Sequence, residues 1–252
     1  MQKYYCYGMK FYGDKVPLKW YNNLEEDVLF VGLYFQVDYN IFSKHKGKKI
    51  VFWNGSDVSR LLYNIKWQKI LKNDLKNNNT LHYCHNIKLK DELLSIGIES
   101  VISPVLFNSK DDYPPSYKPS DILEFYMSAH QDRELEYGVP IFIELASFFP
   151  NCKFHIYGID ELNEKNIIYH GQISEKIMDE EIKNYQGCLR MNKHDGESQI
   201  VMKSKLLGLH TILDYDLNSL INKIVNIDFD KPQEFNKNDI LDINEFIKII
   251  KN

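Results

Sequence analysis

The chain is poor in the residues that staple or interrupt structure, with four cysteines, eight prolines and twelve glycines among 252 residues. Cys6, Cys84, Cys152 and Cys188 are scattered without paired spacing, which argues against a disulfide scaffold and suits a reducing compartment. No apolar run approaches the roughly 18 residues of a membrane span, and MQKYYCYGMK at the start lacks a signal-peptide pattern. A cytoplasmic protein, at most peripheral to a membrane, is therefore expected. A formal charge of −4 gives no general attraction for phosphate backbones, so nucleic acid is not an expected partner. There is no GxxxxGK[ST] loop, no GxGxxG after the first strand and no GxSxG elbow. P-loop kinases, standard dinucleotide enzymes and serine α/β-hydrolases are thereby disfavoured.

What is present is an ordinary globular balance of 44% hydrophobic and 26% charged residues, enough for one large or two modest cores. Seventeen tyrosines suit cores and the walls of sugar or base sites alike. Short apolar strands alternate with amphipathic helices, the pattern of parallel sheets covered on both faces. Strands are expected at Tyr4 to Tyr7, Val28 to Val31, Ile50 to Trp53, Thr80 to Cys84 and Ser100 to Ile102. A helix over Ile87 to Ser95 follows from the spacing of Leu89, Leu93 and Leu94, with Gly97 as its stop.

Three prolines between Phe107 and Ser120 mark a linker. After it the grammar restarts. Strands are expected at Ile122 to Tyr126, Lys153 to Tyr157, Ile167 to Tyr169, Gly187 to Met191 and Thr211 to Leu213. Helices are expected near Val139 to Phe149, Met178 to Tyr185 and Ile200 to Leu207. The division is residues 1–106 as a first Rossmann-like domain, 107–120 as linker, and 121–235 as a second, doubly wound domain. Residues 236–252 form an apolar-striped helix expected to pack back on the first domain.

Several residues invite a chemical role. His82, Cys84 and His85 look like zinc ligands, but on a strand His85 faces away from the other two, so no shared metal site follows. His85 does stand at a strand end, where open parallel sheets carry ligands. Asn54-Gly55-Ser56-Asp57 supplies helix caps or a direct ligand contact in equal measure. The loop Lys193 to Ser198 precedes a helix whose free N–H groups could hold an anion, although a polar loop capped by Ser198 is the plainer reading. Arg133 could reach a phosphate with its planar fork, or simply pair with Asp132 or Glu136 at the surface. Lys203 and Lys205 read as surface lysines unless the fold brings a phosphate to them. Gly13 reads as an early turn.

Taken in order, four stretches resemble the retaining family-4 glycosyltransferases of GT-B architecture. They are VFWNGSDV, then HNIKLKDELLSIGIESVISPV, then the pair CKFHIYG and NIIYHGQI, and finally DGESQIVMKSKLLGLHTI. In the last stretch Asp195 stands where the family has its first glutamate and Lys203 where it has the second, while Gly208 and Ile212 match the ending. The resemblance covers most of the chain and implies an α/β fold of two Rossmann-like domains facing across a cleft, in a compact version such as large DNA viruses encode.

The resemblance further implies a metal-independent hexosyltransferase without cofactor, taking a sugar from a nucleotide diphosphate donor with retention. GDP-mannose is the first expectation and a UDP-sugar the second; the acceptor would be a glycan or a lipid-linked sugar, and a homodimer is compatible. Asp195 would orient the sugar, and Arg133 would hold the diphosphate. Gly171, Gln172 and Ile173 would border the base. Backbone groups of Gly196, Glu197, Ser198, Gln199 and Ile200 would meet the leaving group, assisted by Lys203 or Lys205, and Gly13 would let backbone approach the diphosphate. A nucleotide-sugar epimerase on the same fold, or a non-catalytic nucleotide- or glycan-binding protein, are the competing readings.

Overall fold

The computed structural model describes residues 5–8, 13–20, 23–75, 80–160 and 166–251. Tyr4, expected to begin the first strand, and Asn252, expected to end the last helix, fall outside them. Two compact units form. The first comprises Met1–Lys110, His194–Ser198 and Asn238–Asn252, and the second Asp111–Lys193 and Gln199–Lys237.

In the first unit, β1 (Tyr5–Gly8), β2 (Lys19–Trp20), β3 (Val28–Val31), β4 (Lys49–Trp53), β5 (Thr80–Cys84) and β6 (Val101–Ile102) make one parallel sheet in the order β2-β1-β3-β4-β5-β6. The strands VLFV and IVFW are continuously apolar because both sheet faces are covered. Val28, Phe30, Val51 and Trp53 pack under the helices Gln36–Lys44, Ser56–Leu62, Ile65–Leu75 and Ile87–Ser95. Leu29, Val31, Ile50 and Phe52 point the other way, beneath Ile243, Phe246, Ile247 and Ile250 of the last helix, Ile243–Lys251. That helix is fastened at its start: Leu241–Asp242 pairs in parallel with β7 (Val105–Leu106), and Lys110 bridges to Glu245 at 2.7 Å. The helix Ile87–Ser95 forms over the expected residues because Asn86 caps it, accepting from the Leu89 N–H at 3.0 Å.

In the second unit, β8 (Glu124–Ser128), β9 (Lys153–Tyr157), β10 (Ile167–Tyr169), β11 (Gly187–Arg190) and β12 (His210–Leu213) form a parallel sheet in the order β10-β9-β8-β11-β12. Its core gathers Phe125, Phe142, Phe154, Ile156, Leu189 and Ile212. Strand β8 starts two residues later than the apolar run suggests. Glu124 opens it because its carboxylate meets Lys153 and His155 of the neighbouring strand, each at 2.9 Å. The helix expected from Met178 runs instead over Glu175–Glu181, since Ser174 caps it through the Ile177 N–H, and a 3-10 turn Ile182–Asn184 follows. A helix at Leu217–Val225, capped by Asp216, has no counterpart in the sequence expectation.

Candidate functional site

The second sheet begins in its middle at β8, grows outward through β9 and β10, then returns to the other side of β8 with β11 and β12. Strand direction of travel reverses between β8 and β11, and crevices at such points, outside the strand carboxyl ends, are where open α/β sheets bind ligands. β8 ends at Ser128 and β11 at Arg190, whose Nη1 donates to the Ser128 carbonyl at 3.4 Å. The loop after β8 ends at Arg133, which stands at the start of a short helix, Glu134–Tyr137. Two guanidinium groups lie over the Tyr137 ring, Arg133 with Cζ 5.5 Å from its centroid and Arg190 at 5.0 Å. Arg133 also binds the Glu136 carboxylate through Nε at 3.0 Å and through Nη2. The surface pairing that competes with a phosphate role is thus the one formed. Gly138 has φ +76°, and a Cβ there would stand 2.6 Å from the Met191 Cβ and 2.9 Å from its carbonyl oxygen. Only glycine lets the loop after β8 approach the end of β11 this closely.

On the β9 and β10 side, the Gly158 N–H donates to the Gly171 carbonyl at 2.7 Å and the Ala129 N–H to Tyr157 at 2.9 Å, tying three strand ends together. Gly171 has φ +60°; Gln172 is exposed and Ile173 half-buried. Beneath lies a chain of polar side chains. His155 joins Glu124 at 2.9 Å and His170 at 3.0 Å, the Tyr185 hydroxyl reaches His155 at 3.2 Å, and Tyr157 joins both Tyr185 and Glu181 at 2.7 Å. Burial pushes both imidazoles toward the neutral form, against the opposing pull of Glu124 on His155 and of Glu181 on His170.

Lys203 is not a surface lysine. Its Nζ is buried between Glu175, at 2.6 Å, and Asp179, at 2.8 and 3.0 Å, and sits 5.2 Å from the Tyr113 ring centroid. Tyr113 in turn donates to Asp179 at 2.7 Å. A lysine on the inner face of the helix Gln199–Leu207 is affordable because two carboxylates from the helix Glu175–Glu181 meet it. Its charge is committed there rather than offered to a donor phosphate. Lys205 lies with Nζ 5.7 Å from the Phe235 centroid, and Gln199 and Ile200 open the same helix.

Of the expected loop Lys193 to Ser198, residues His194–Ser198 group with the first unit and Lys193 with the second. His194 meets Glu92 at 2.8 Å, and Asn86 donates to the Asp195 carbonyl at 3.4 Å. A Cβ on Gly196 would come within 2.3 Å of the Asn54 carbonyl oxygen, and one on Gly55 within 2.7 Å of the Gly196 nitrogen. Glu197 and Ser198 are half-buried. Asp57 is no direct ligand: its fully buried carboxyl, pushed up to about 6 by burial, accepts N–H bonds from Asn54, Gly55 and Val58. Gly13 faces the Trp20 ring, 2.3 Å from where a Cβ would stand, so that face of the glycine is filled by an aromatic.

His82, Cys84 and His85 go to separate tasks. His82 Nδ1 accepts from Trp53 at 3.2 Å, Cys84 contacts the Ser100 hydroxyl at 3.4 Å, and His85 Nδ1 accepts from the Val105 N–H at 3.4 Å. Burial pushes His82 down to about 4 and His85 to about 3. The chain also holds two Asp-x-Asp triplets, which the sequence-based expectation of a metal-independent site leaves out of account. Asp214 is taken by Lys223 at 2.8 Å and by the Tyr215 and Asp216 N–H groups, Asp216 caps the following helix, and Asp228 is held by Lys231 and the Asp230 N–H. Among the described residues no group of three or more His, Cys, Asp or Glu is arranged to hold a metal ion, and no helix is long and apolar enough to cross a membrane.

No family model and no curated protein sequence matches the chain. Solved structures do. Sucrose-phosphate synthase from Thermosynechococcus elongatus superposes with a TM-score of 0.60 at 10% identity, over 79% of this chain and 63% of that one. Trehalose-6-phosphate synthase gives 0.57 at 8% identity, over 91% and 71%. The chain has the GT-B fold. A third GT-B structure, TarM, matches 90% of this chain at a TM-score of 0.54 and 10% identity, and the chain spans about half (51%) of TarM's length. At such identities the likeness fixes the GT-B architecture and leaves the site to the residues themselves. Of these, the sequence reading leaves out Arg190, Glu175 and Asp179, and it notes Tyr137 only as standing before Gly138, where the resembled family usually has a lysine. A charged residue ending an apolar strand beside the reversal point was the available signal for Arg190.

Proposed function

We propose that the chain is a glycosyltransferase that takes a hexose from a nucleoside diphosphate donor held at the carboxyl edge of the second unit's sheet. The observation that carries this reading is the reversal point between β8 and β11, with Arg133 beside it, in a chain of GT-B fold. In such a transfer the bond from the anomeric carbon to the diphosphate oxygen breaks, the acceptor hydroxyl oxygen forms the new one, and its proton passes to the departing diphosphate. The barrier falls when the charge gathering on the leaving diphosphate meets fixed donors. Arg133 would exchange Glu136 for the diphosphate, and the backbone at Gly171 to Ile173 would border the base.

The finer reading follows the family-4 resemblance. Transfer would proceed with retention, as it does in trehalose-6-phosphate synthase. It would need neither metal nor cofactor, use GDP-mannose before a UDP-sugar, and deliver the hexose to a glycan or glycolipid. Incubation with a panel of GDP- and UDP-sugars tests it, with release of the nucleoside diphosphate and the anomeric proton of the product read by NMR. Transfer with retained configuration supports the reading. A nucleotide sugar recovered with one ring centre inverted would make the protein an epimerase, and binding without turnover would make it a non-catalytic receptor.

A further inference from the structure

Arg133 alone would be a thin anchor for a diphosphate, and the lysine that the sequence offers as a helper, Lys203, is locked between Glu175 and Asp179. We propose that Arg190 is the second cation of this site and binds the diphosphate together with Arg133. The inference rests on the reading of the second unit as a nucleoside diphosphate site.

Three observations lead to it. First, Arg190 closes β11 and touches the last residue of β8, so it stands at the point where the sheet reverses. Second, both guanidinium groups lie over one Tyr137 ring, 5.5 and 5.0 Å from its centroid, so they are never further apart than the sum of those distances. The negative face of an aromatic ring attracts each cation, and once Arg133 gives up Glu136 the two like charges repel. An anion received by both removes that repulsion, and each planar fork can offer two parallel N–H groups to phosphate oxygens. Third, the two arginines come from segments held together by backbone: Arg133 stands at the start of the short helix Glu134–Tyr137, whose far end at Gly138 lies close against Met191, the residue after Arg190. The fold therefore keeps the two backbone positions near each other.

Titration calorimetry with GDP, UDP and inorganic pyrophosphate tests this on the intact chain, using Arg190→Gln, Arg190→Lys and Arg133→Gln. Arg190→Gln should weaken the nucleoside diphosphates and pyrophosphate about tenfold or more, the loss of one charge-assisted phosphate contact. It should leave the weak binding of the free nucleoside unchanged. Arg190→Lys keeps the charge without the fork and should fall between, with an unaltered melting temperature, which separates binding from structural loss should the glutamine variant fold poorly. If the parent binds GDP or UDP and both Arg190 variants bind them as tightly, Arg190 is not a ligand and the inference fails while the donor site stands. If Arg133→Gln and the Arg190 variants are all silent because the parent binds no diphosphate or pyrophosphate, the functional reading itself falls.

Discussion

Replacing Lys203 with methionine keeps most of the side-chain volume and removes the ammonium that stands between Glu175 and Asp179. The lysine side chain is 2% exposed and Asp179 14%, so the orphaned carboxylate has little water to turn to. Breaking a buried ion pair from one side costs about 3–5 kcal/mol. Glu175 is 29% exposed and recovers part of its hydration, which places the expectation near the lower end, about 3 kcal/mol. For a chain of this size that corresponds to a fall of roughly 6–12 °C in melting temperature. Circular dichroism melts of the parent and of Lys203→Met read it directly. The triple variant Lys203→Met, Glu175→Gln, Asp179→Asn should regain most of the loss, because no unpaired charge remains. A single variant that melts within 1–2 °C of the parent yet binds GDP or UDP less tightly would refute the reasoning and return Lys203 to the donor.

His82 is held neutral in the fold, down at about 4 against 6.5 when unfolded, so between those values the unfolded chain binds more protons. Stability should fall as pH drops through that window, by about 2 kcal/mol from pH 7 to pH 5 on account of this residue. Urea titrations of His82→Asn, which keeps an acceptor for Trp53, should show that much less pH dependence; an unchanged slope would contradict the assignment. Phe246 is wedged against Phe52 and Tyr83, both with ring centroids at 5.1 Å, and Phe246→Ala should cost about 3–5 kcal/mol in chemical denaturation and open the last helix to limited proteolysis. Parent-like stability would mean that the helix does not cover the sheet. Because Asp214, Asp216 and Asp228 are spent on lysines and backbone N–H groups, the heat of GDP or UDP binding should be indifferent to EDTA. A heat that vanishes on chelation would reassign those aspartates.

Elements written in local pattern were legible. VLFV and IVFW are apolar throughout because each residue faces one covered side or the other, and Asn86 with Gly97 brackets its helix by short-range bonding. What the pattern could not carry were contacts between residues far apart in sequence. Lys203 looks like any surface lysine until a helix some twenty-five residues earlier brings two carboxylates to it. Arg190 and Arg133 become a pair only when β11 is laid beside β8, and His194 to Ser198 join the first unit through partners about a hundred residues upstream. The Asp-x-Asp triplets show the converse: the motif is plain in the chain, and its meaning lies in the neighbours that occupy it.

The last helix also dictates a schedule. Everything the second sheet needs is encoded between Asp111 and Lys237, whereas the face carrying Leu29, Val31, Ile50 and Phe52, met earlier by Val16, Val105 and Phe107, stays partly uncovered until Ile243 to Ile250 have left the ribosome. The unit that is begun first is thus finished last, and its closing step joins segments separated by nearly the whole chain, which folding kinetics penalises. A nascent chain stalled before Ile243 would present a broad greasy sheet face to the cell, the sort of surface that recruits chaperones or seeds clumping.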